Sequence, residues 1–250
     1  MSGHNKWSTI KHKKAAADQK KGKVFSAISK EIFVAVRTGG SDPDANITLR
    51  ALIQKGRSVN MPIDNIERAI KKASGDLGDV IMEELSYEGY AAGGVAIVIK
   101  CLSDNKNRTA ASIKHTFNKF DASLSAQGSV SRFFNRKGRI VVPVDAIEED
   151  ELMELVLDAG AEDMSIQDDE YEIITDPNSF MDVMDAIEKK GLKTGLSEIT
   201  MIPETMTEVT ERSKASSIMR FIDTLEDNED VQNVYSNFDI SDELMSELGT

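Results

Sequence analysis

The residue types best suited to chemistry in this chain are cationic and stand near its start. The stretch GHNKWSTIKHKKAAADQKKGKVF, residues 3–25, sets Lys6, Lys11, Lys13, Lys14, Lys20, Lys21 and Lys23 around Trp7 and His12, with Asp18 as its one acid. Ammonium groups hold phosphates and an indole offers a face on which a base can stack. Their interleaving is the pattern of single-strand and RNA binders. The plain alternative is a solvated tail; Trp7, Ile10 and His12 among the lysines weigh against it. A second candidate is SDNKNRTA, residues 103–110, where a strand hands over to a helix. Free amides there, with Lys106 and Arg108, suit a phosphate or carboxylate. A polar connection capped by Asn105 or Asn107 explains the same residues equally well.

Other chemistries lack their residues. His4, His12 and His115 share no metal-ligand spacing. Cys101 is the single cysteine, which excludes an intrachain disulfide and a cysteine-based zinc cluster. Lying in VAIVIKCL, it reads as a buried, inert thiol. Asp42, Asp44 and Asn46 imitate the start of a calcium loop, but its sixth and twelfth positions are Ile47 and Ile53 rather than glycine and glutamate. A loop with a helix cap is left. The glycines of EGYAAGGV precede a strand, which suits a close-approach turn better than a phosphate cradle. The carboxylates after residue 145 offer no pair separable into acid and base. The expectation is a protein that is not an enzyme, with no metal, cofactor or small-molecule substrate implied.

Charge is partitioned along the chain. The net charge is −13, yet residues 1–75 hold 15 Lys+Arg against 6 Asp+Glu, while residues 141–250 hold 6 against 30. Fields act over about 8 Å at physiological salt, so a basic third can meet a polyanion while an acidic third faces away. Asymmetry of this kind points to nucleic acid. The longest apolar run is far short of a membrane span, and the N-terminus has no apolar signal core. A cytoplasmic location and no membrane partner are expected.

The elements that must position these charges follow from periodicity. Phe25, Ile28, Ile32 and Val36 recur at steps of three and four and predict a helix ended by Gly39-Gly40. A second helix opens near Asp44-Ala45-Asn46, buries Leu49, Leu52 and Ile53, and carries Lys55 and Arg57 at its polar end. A third begins after Pro62, where Asp64 and Glu67 have capping-box spacing. Its Ile63, Ile66 and Ile70 face inward, Arg68, Lys71 and Lys72 face outward, and Gly75 closes it. From Val95 the period changes. GGVAIVIKCL predicts a buried strand and DNKNRTAASIKHTFNKF a helix. SVSRFFNRKGRIVVP predicts two strands turning near Lys137-Gly138. A helix (146–159), two strands (164–167 and 171–175), a helix (179–190) and a strand (196–202) follow, so residues 139–202 read β-α-β-β-α-β, the ferredoxin-like pattern. A last helix (211–226) and a strand (231–238) rejoin the β-α-β of residues 95–135, with the late strand beside the strand at 95–102. The predicted class is α+β with three domains. These are a basic three-helix domain (1–78), a discontinuous αβ sandwich (79–136 plus 205–240), and an acidic ferredoxin-like domain (137–204) inserted into it.

These segments together resemble one family. The N-terminal stretch, EIFVAVRTGGSDPDANITLR, NMPIDNIERAIKKASG, YEGYAAGGVAIVIKCLSDNKNRTA, GSVSRFFNRKG and LEDNEDVQNVYSNFDI look, in order, like the signatures of the YebC/PmpR family, which includes the mitochondrial translational activator of cytochrome oxidase. The chain departs from it at Ala91-Ala92, where Gly-Pro is common, and in DASLSAQGSV, which lacks glycines often found there. The resemblance implies a bacterial cytosolic protein of three domains with no established enzymatic activity. It also implies a DNA-binding transcriptional regulator or, alternatively, a translation factor that acts on the ribosome when proline-rich nascent chains stall. The implied partner is nucleic acid, either DNA or ribosomal RNA. Lys6, Trp7, Lys11, His12, Lys13, Lys14, Lys20, Lys21 and Lys23 carry over from the family motif. With them, Arg37, Arg50, Lys55, Arg57, Arg68, Lys71, Lys72 and Arg108 are the expected phosphate contacts, and Trp7 and His12 the contacts to bases or sugars.

Overall fold

The computed structural model describes residues 17–75, 82–167, 169–195 and 197–248. Three helices come first: α1 (Ala17–Gly39), α2 (Ile47–Ser58) and α3 (Ile63–Ser74). Their cores meet through Ile28, Ile32, Ala35 and Val36 of α1, Leu49 of α2, and Ile66, Ala69 and Ala73 of α3. Gly40, at φ +86°, terminates α1 by donating its N–H to Val36 O at 2.9 Å. Asn46 then caps α2, accepting from Leu49 N at 3.0 Å. Its amide also donates to Ala35 O and Gly40 O, both at 2.8 Å. One buried side chain thus fixes the α1–α2 corner. Two expectations for α3 change. The helix starts at Ile63 with Pro62 as its N-cap and no side-chain capping bond. Asp64 therefore sits inside the first turn, where it meets the positive end of the helix dipole instead of closing a capping box. Ile63 is 55% exposed, and Ala69 and Ala73 complete the buried stripe in its place.

The first sheet has the order β3-β1-β2-β9, all antiparallel, built from β1 (Glu83–Tyr90), β2 (Ala96–Ser103), β3 (Ser123–Ser125) and β9 (Val231–Ser236). The late strand therefore joins the strand at 96–103, as the sequence predicts, with a bulge opposite Lys100/Cys101. Helices α4 (Lys106–Lys119) and α7 (Arg212–Glu226) cover one face, bringing Ile113, Phe117, Phe221 and Ile222 onto Ile97, Ile99 and Cys101. The rings of Phe117 and Phe221 meet edge-to-face at 5.0 Å. The predicted strand 231–238 divides at Asn237. Beyond it β10 (Phe238–Asp239) pairs in parallel with β8 (Thr207–Glu208). Asn237 makes the break by exchanging bonds with Ala96 and Thr207. Strands β1 and β3 and the terminal helix α8 (Asp242–Glu247) were not anticipated from the sequence.

Residues Arg132–Met206 form a second compact unit. It contains β4 (Phe134–Pro143), α5 (Glu149–Asp158), β5 (Ala161–Gln167), β6 (Glu170–Thr175), α6 (Phe180–Lys189) and β7 (Ser197–Pro203). The sheet order is β5-β6-β4-β7, the split β-α-β arrangement of the ferredoxin-like pattern. Its core joins Ile140, Val142 and Ile173 to Leu152, Val156, Val183 and Ile187. The expected turn at Lys137-Gly138 does not exist: β4 runs straight through. Gly138 is there for close approach, because a Cβ would stand 2.2 Å from Thr175 Oγ1 and 2.6 Å from Phe180 Cδ2.

Candidate nucleic-acid interface

The sequence-predicted bases separate into three groups in the structure. Lys6, Trp7, Lys11, His12, Lys13 and Lys14 lie outside the described residues, and Lys20 and Lys21 fall on α1. A second group is engaged inside the fold. Arg50 folds back on its own loop, Nε to Pro43 O at 3.1 Å and Nη2 to Asp44 O at 2.8 Å. Lys55 bonds both oxygens of Glu31, at 3.1 and 3.2 Å. Lys23 lies 3.9 Å from Asp227. The third group points to water: Arg37, Arg57, Arg68, Lys71 and Lys72 are exposed. Arg37 stacks over Phe33 at 5.4 Å, and Arg68 reaches Asn65 at 3.4 Å.

Helix geometry explains the third group. Arg37, Arg57, and the pair Lys71 and Lys72 stand in the last turns of α1, α2 and α3. A cation at a helix C-terminus gains about 0.3–1 kcal/mol from the dipole, so each helix accepts its charge at no cost in stability. On α3 the buried Ile66, Ala69 and Ala73 leave Arg68, Lys71 and Lys72 on the opposite face. An ammonium or guanidinium held this way remains free to exchange its counterion for a phosphate.

The turn at 103–110 is already filled. Asn105 caps α4, accepting from Arg108 N at 3.1 Å. The Arg108 guanidinium meets Asp230 at 3.0 Å through Nη2, and Asp104 at 2.9 Å. Thr109 Oγ1 donates to Asp230 at 2.8 Å, and Lys30 Nζ from α1 reaches it at 3.0 Å. Asp230 is buried, and burial by itself raises its pKa; the bonds from Lys30, Thr109 and Arg108 outweigh this and hold it below the ordinary value. Of the side chains that sequence reasoning offered to a phosphate here, Arg108 turns to the internal carboxylate of Asp230 and Lys106 stands 3.9 Å from Glu83. Asp230 also ties α1 to the αβ sandwich through Lys30. Sequence reasoning missed both Asp230 and Lys30. One acid among the many in LEDNEDVQ carries no distinguishing signal.

A second missed carboxylate organises the loop before β4. Glu88, 2% exposed on β1, accepts the N–H groups of Gly128, Val130 and Ser131 at 2.8, 2.7 and 2.9 Å. Burial raises its pKa, and these backbone donors bring it below the usual value. Cys101 is buried, and desolvation pushes its thiol up to about 12, which leaves no thiolate near neutrality. His115 is exposed on α4. Among the described residues no group of His, Cys, Asp and Glu could hold a metal ion, and no helix is long and apolar enough to cross a membrane.

Comparison with known proteins places this architecture. The model of the TACO1/YebC protein N-terminal domain matches residues 5–76, and that of the TACO1/YebC second and third domain matches residues 82–238. The chain belongs to the TACO1/YebC family. A probable transcriptional regulatory protein of Geobacter sulfurreducens is 50% identical over 248 residues, covering 99% of this chain and 100% of that one. A protein of the same description from Desulforapulum autotrophicum is 50% identical over 244 residues, 98% of each chain. The crystal structure of a conserved hypothetical protein from Aquifex aeolicus superposes with a TM-score of 0.83 at 41% identity, over 93% of this chain and 96% of that one. The YebC N-terminal domain model spans both the lysine-rich start and the three helices, so one family unit carries all the bases proposed to meet phosphate except Arg108.

Proposed function

We propose that this TACO1/YebC protein is a non-enzymatic, nucleic-acid-binding regulator of gene expression that acts on DNA in transcription; its relatives are described as probable transcriptional regulatory proteins. The observation that carries this reading is the exposed set Arg37, Arg57, Arg68, Lys71 and Lys72 on the helical domain, next in sequence to the lysine-rich start. Lys6, Trp7, Lys11, His12, Lys13, Lys14, Lys20, Lys21 and Lys23 join that set in the proposal, with Trp7 and His12 at bases or sugars. Lys23, Arg50 and Lys55 are secondary, because each must leave a partner within the fold first. Arg108 is withdrawn from the phosphate set, being held by Asp230.

A second reading, a translation factor whose basic domain meets ribosomal RNA, is favoured by the outward face of α3. Among the exposed side chains of that short helix, Arg68 is the one Arg, Asn or Gln; Asn65 is half-buried. Duplex readout wants several Arg, Asn and Gln at base-edge positions, which α3 does not present. The two readings separate by ribosome co-sedimentation against promoter-fragment binding, both across a salt series. Loss of ribosome pelleting at physiological salt, with one operator still shifted at nanomolar protein, supports transcription. The converse supports translation.

A further inference from the structure

The acidic unit contains a basic island that the reading above does not use. Residues 132–139, RFFNRKGR, hold four cations and no acid. Two are neutralised within the fold: Lys137 by Glu162 at 2.7 Å, and Arg139 by Glu172. The other two, Arg132 and Arg136, are exposed and have no carboxylate partner among the described residues. Between them stands Phe133, 36% exposed, with the Arg132 guanidinium 4.7 Å above its ring. Among the described residues it is the one aromatic side chain so exposed; the other phenylalanines and the tyrosines are buried or half-buried.

We infer that Arg132, Phe133 and Arg136 form a second contact for single-stranded nucleic acid, in which a base stacks on the Phe133–Arg132 pair and Arg136 holds an adjacent phosphate. Phe133 keeps 36% of its surface exposed, more than any other phenylalanine or tyrosine among the described residues. A ring with a guanidinium on its face is a stacking platform for any base. Phe133 O accepts from Glu204 N at 2.9 Å, and β4 begins at the next residue, so the platform stands on paired backbone rather than on a loose loop. Glu204 is the nearby carboxylate, and it accepts from Asn135 Nδ2 at 3.2 Å. A duplex keeps its bases stacked internally and gains nothing from such a platform, so the occupant is a single strand.

This inference rests on the nucleic-acid reading, and its test separates the two. Full-length native protein, Phe133→Ala, Phe133→Trp and Arg136→Gln are titrated at low salt with labelled oligouridine and with a duplex of equal length. A 5-iodouracil-bearing strand is photocrosslinked to the native chain and the attachment mapped by mass spectrometry. Phe133→Ala is expected to weaken single-strand binding about five- to a hundredfold, with duplex affinity unchanged and Phe133→Trp restoring native binding. Arg136→Gln lowers the salt slope by about one, and crosslinks map to Arg132–Arg136. Native-like single-strand binding by Phe133→Ala, or crosslinks confined to other segments, overturns this inference alone. A native chain that binds neither oligonucleotide overturns the broader reading with it.

Discussion

Two residues show how single side chains hold the charged surface in place. Asp230 gathers Lys30, Arg108 and Thr109 from α1 and α4, so Asp230→Ala leaves Lys30 without its carboxylate and Arg108 with Asp104 alone. Because Arg108 and Lys30 keep some access to solvent, the expected cost is about 1.5–3 kcal/mol, measured by urea denaturation. The same group sets a pH dependence. Its folded pKa is depressed, so its contribution is complete above the unfolded value of about 3.9 and is lost as pH falls toward the folded value. Native protein should therefore lose stability on acidification below about pH 4, and Asp230→Asn should lose less across that window. A native and a variant curve that run parallel below pH 4 would contradict the assignment. Asn46 makes the complementary case. Its place before an apolar-periodic stretch marks it as a cap in the sequence, whereas its bonds to Ala35 O and Gly40 O emerge only from the fold. Asn46→Ala should cost more than the usual cap range of about 0.5–2 kcal/mol, because two carbonyls lose their donor as well.

Elements were legible where their period is local. Helix α1 announces itself by Ile28, Ile32 and Val36, and β2 by the apolar residues of AIVIKCL, interrupted only by Lys100. Strand β1, EELSYEGY, has no such run; it is a strand because β2 and β3 flank it, a tertiary cause that no window of sequence contains. The false turn at Gly138 has the same origin. A glycine between lysine and arginine reads locally as a turn, and only the approach of Phe180 and Thr175 explains it. Gly138→Ala should accordingly destabilise the ferredoxin-like unit by about 1–3 kcal/mol, read as a lowered midpoint in thermal melts; an unchanged midpoint would contradict the close-approach account. The loop at 128–131 depends on one carboxylate. In Glu88→Ala the amides of Gly128, Val130 and Ser131 should lose hydrogen-exchange protection while those of β2 keep theirs.

For the whole molecule, opposite charges are kept on different stretches of chain: 15 cations against 6 acids in residues 1–75, and 6 against 30 in residues 141–250. That segregation was fully legible in the sequence. Which cations remain available was not, because Lys55 and Arg108 find carboxylates, Glu31 and Asp230, that only the fold brings near, and Arg50 turns back on its own loop. A polyanion partner is the simplest reason for an acidic chain to hold five exposed bases with no acidic partner among the described residues on one small helical domain, and counterion release makes that claim measurable. The most direct measurement is the slope of log affinity against log salt for oligonucleotide binding, compared between native protein and the Arg57→Gln, Lys71→Gln, Lys72→Gln triple variant. If these side chains meet phosphates, the native slope is steep and the variant's is shallower by about two to three units. A variant whose slope and affinity match the native protein's would contradict the account.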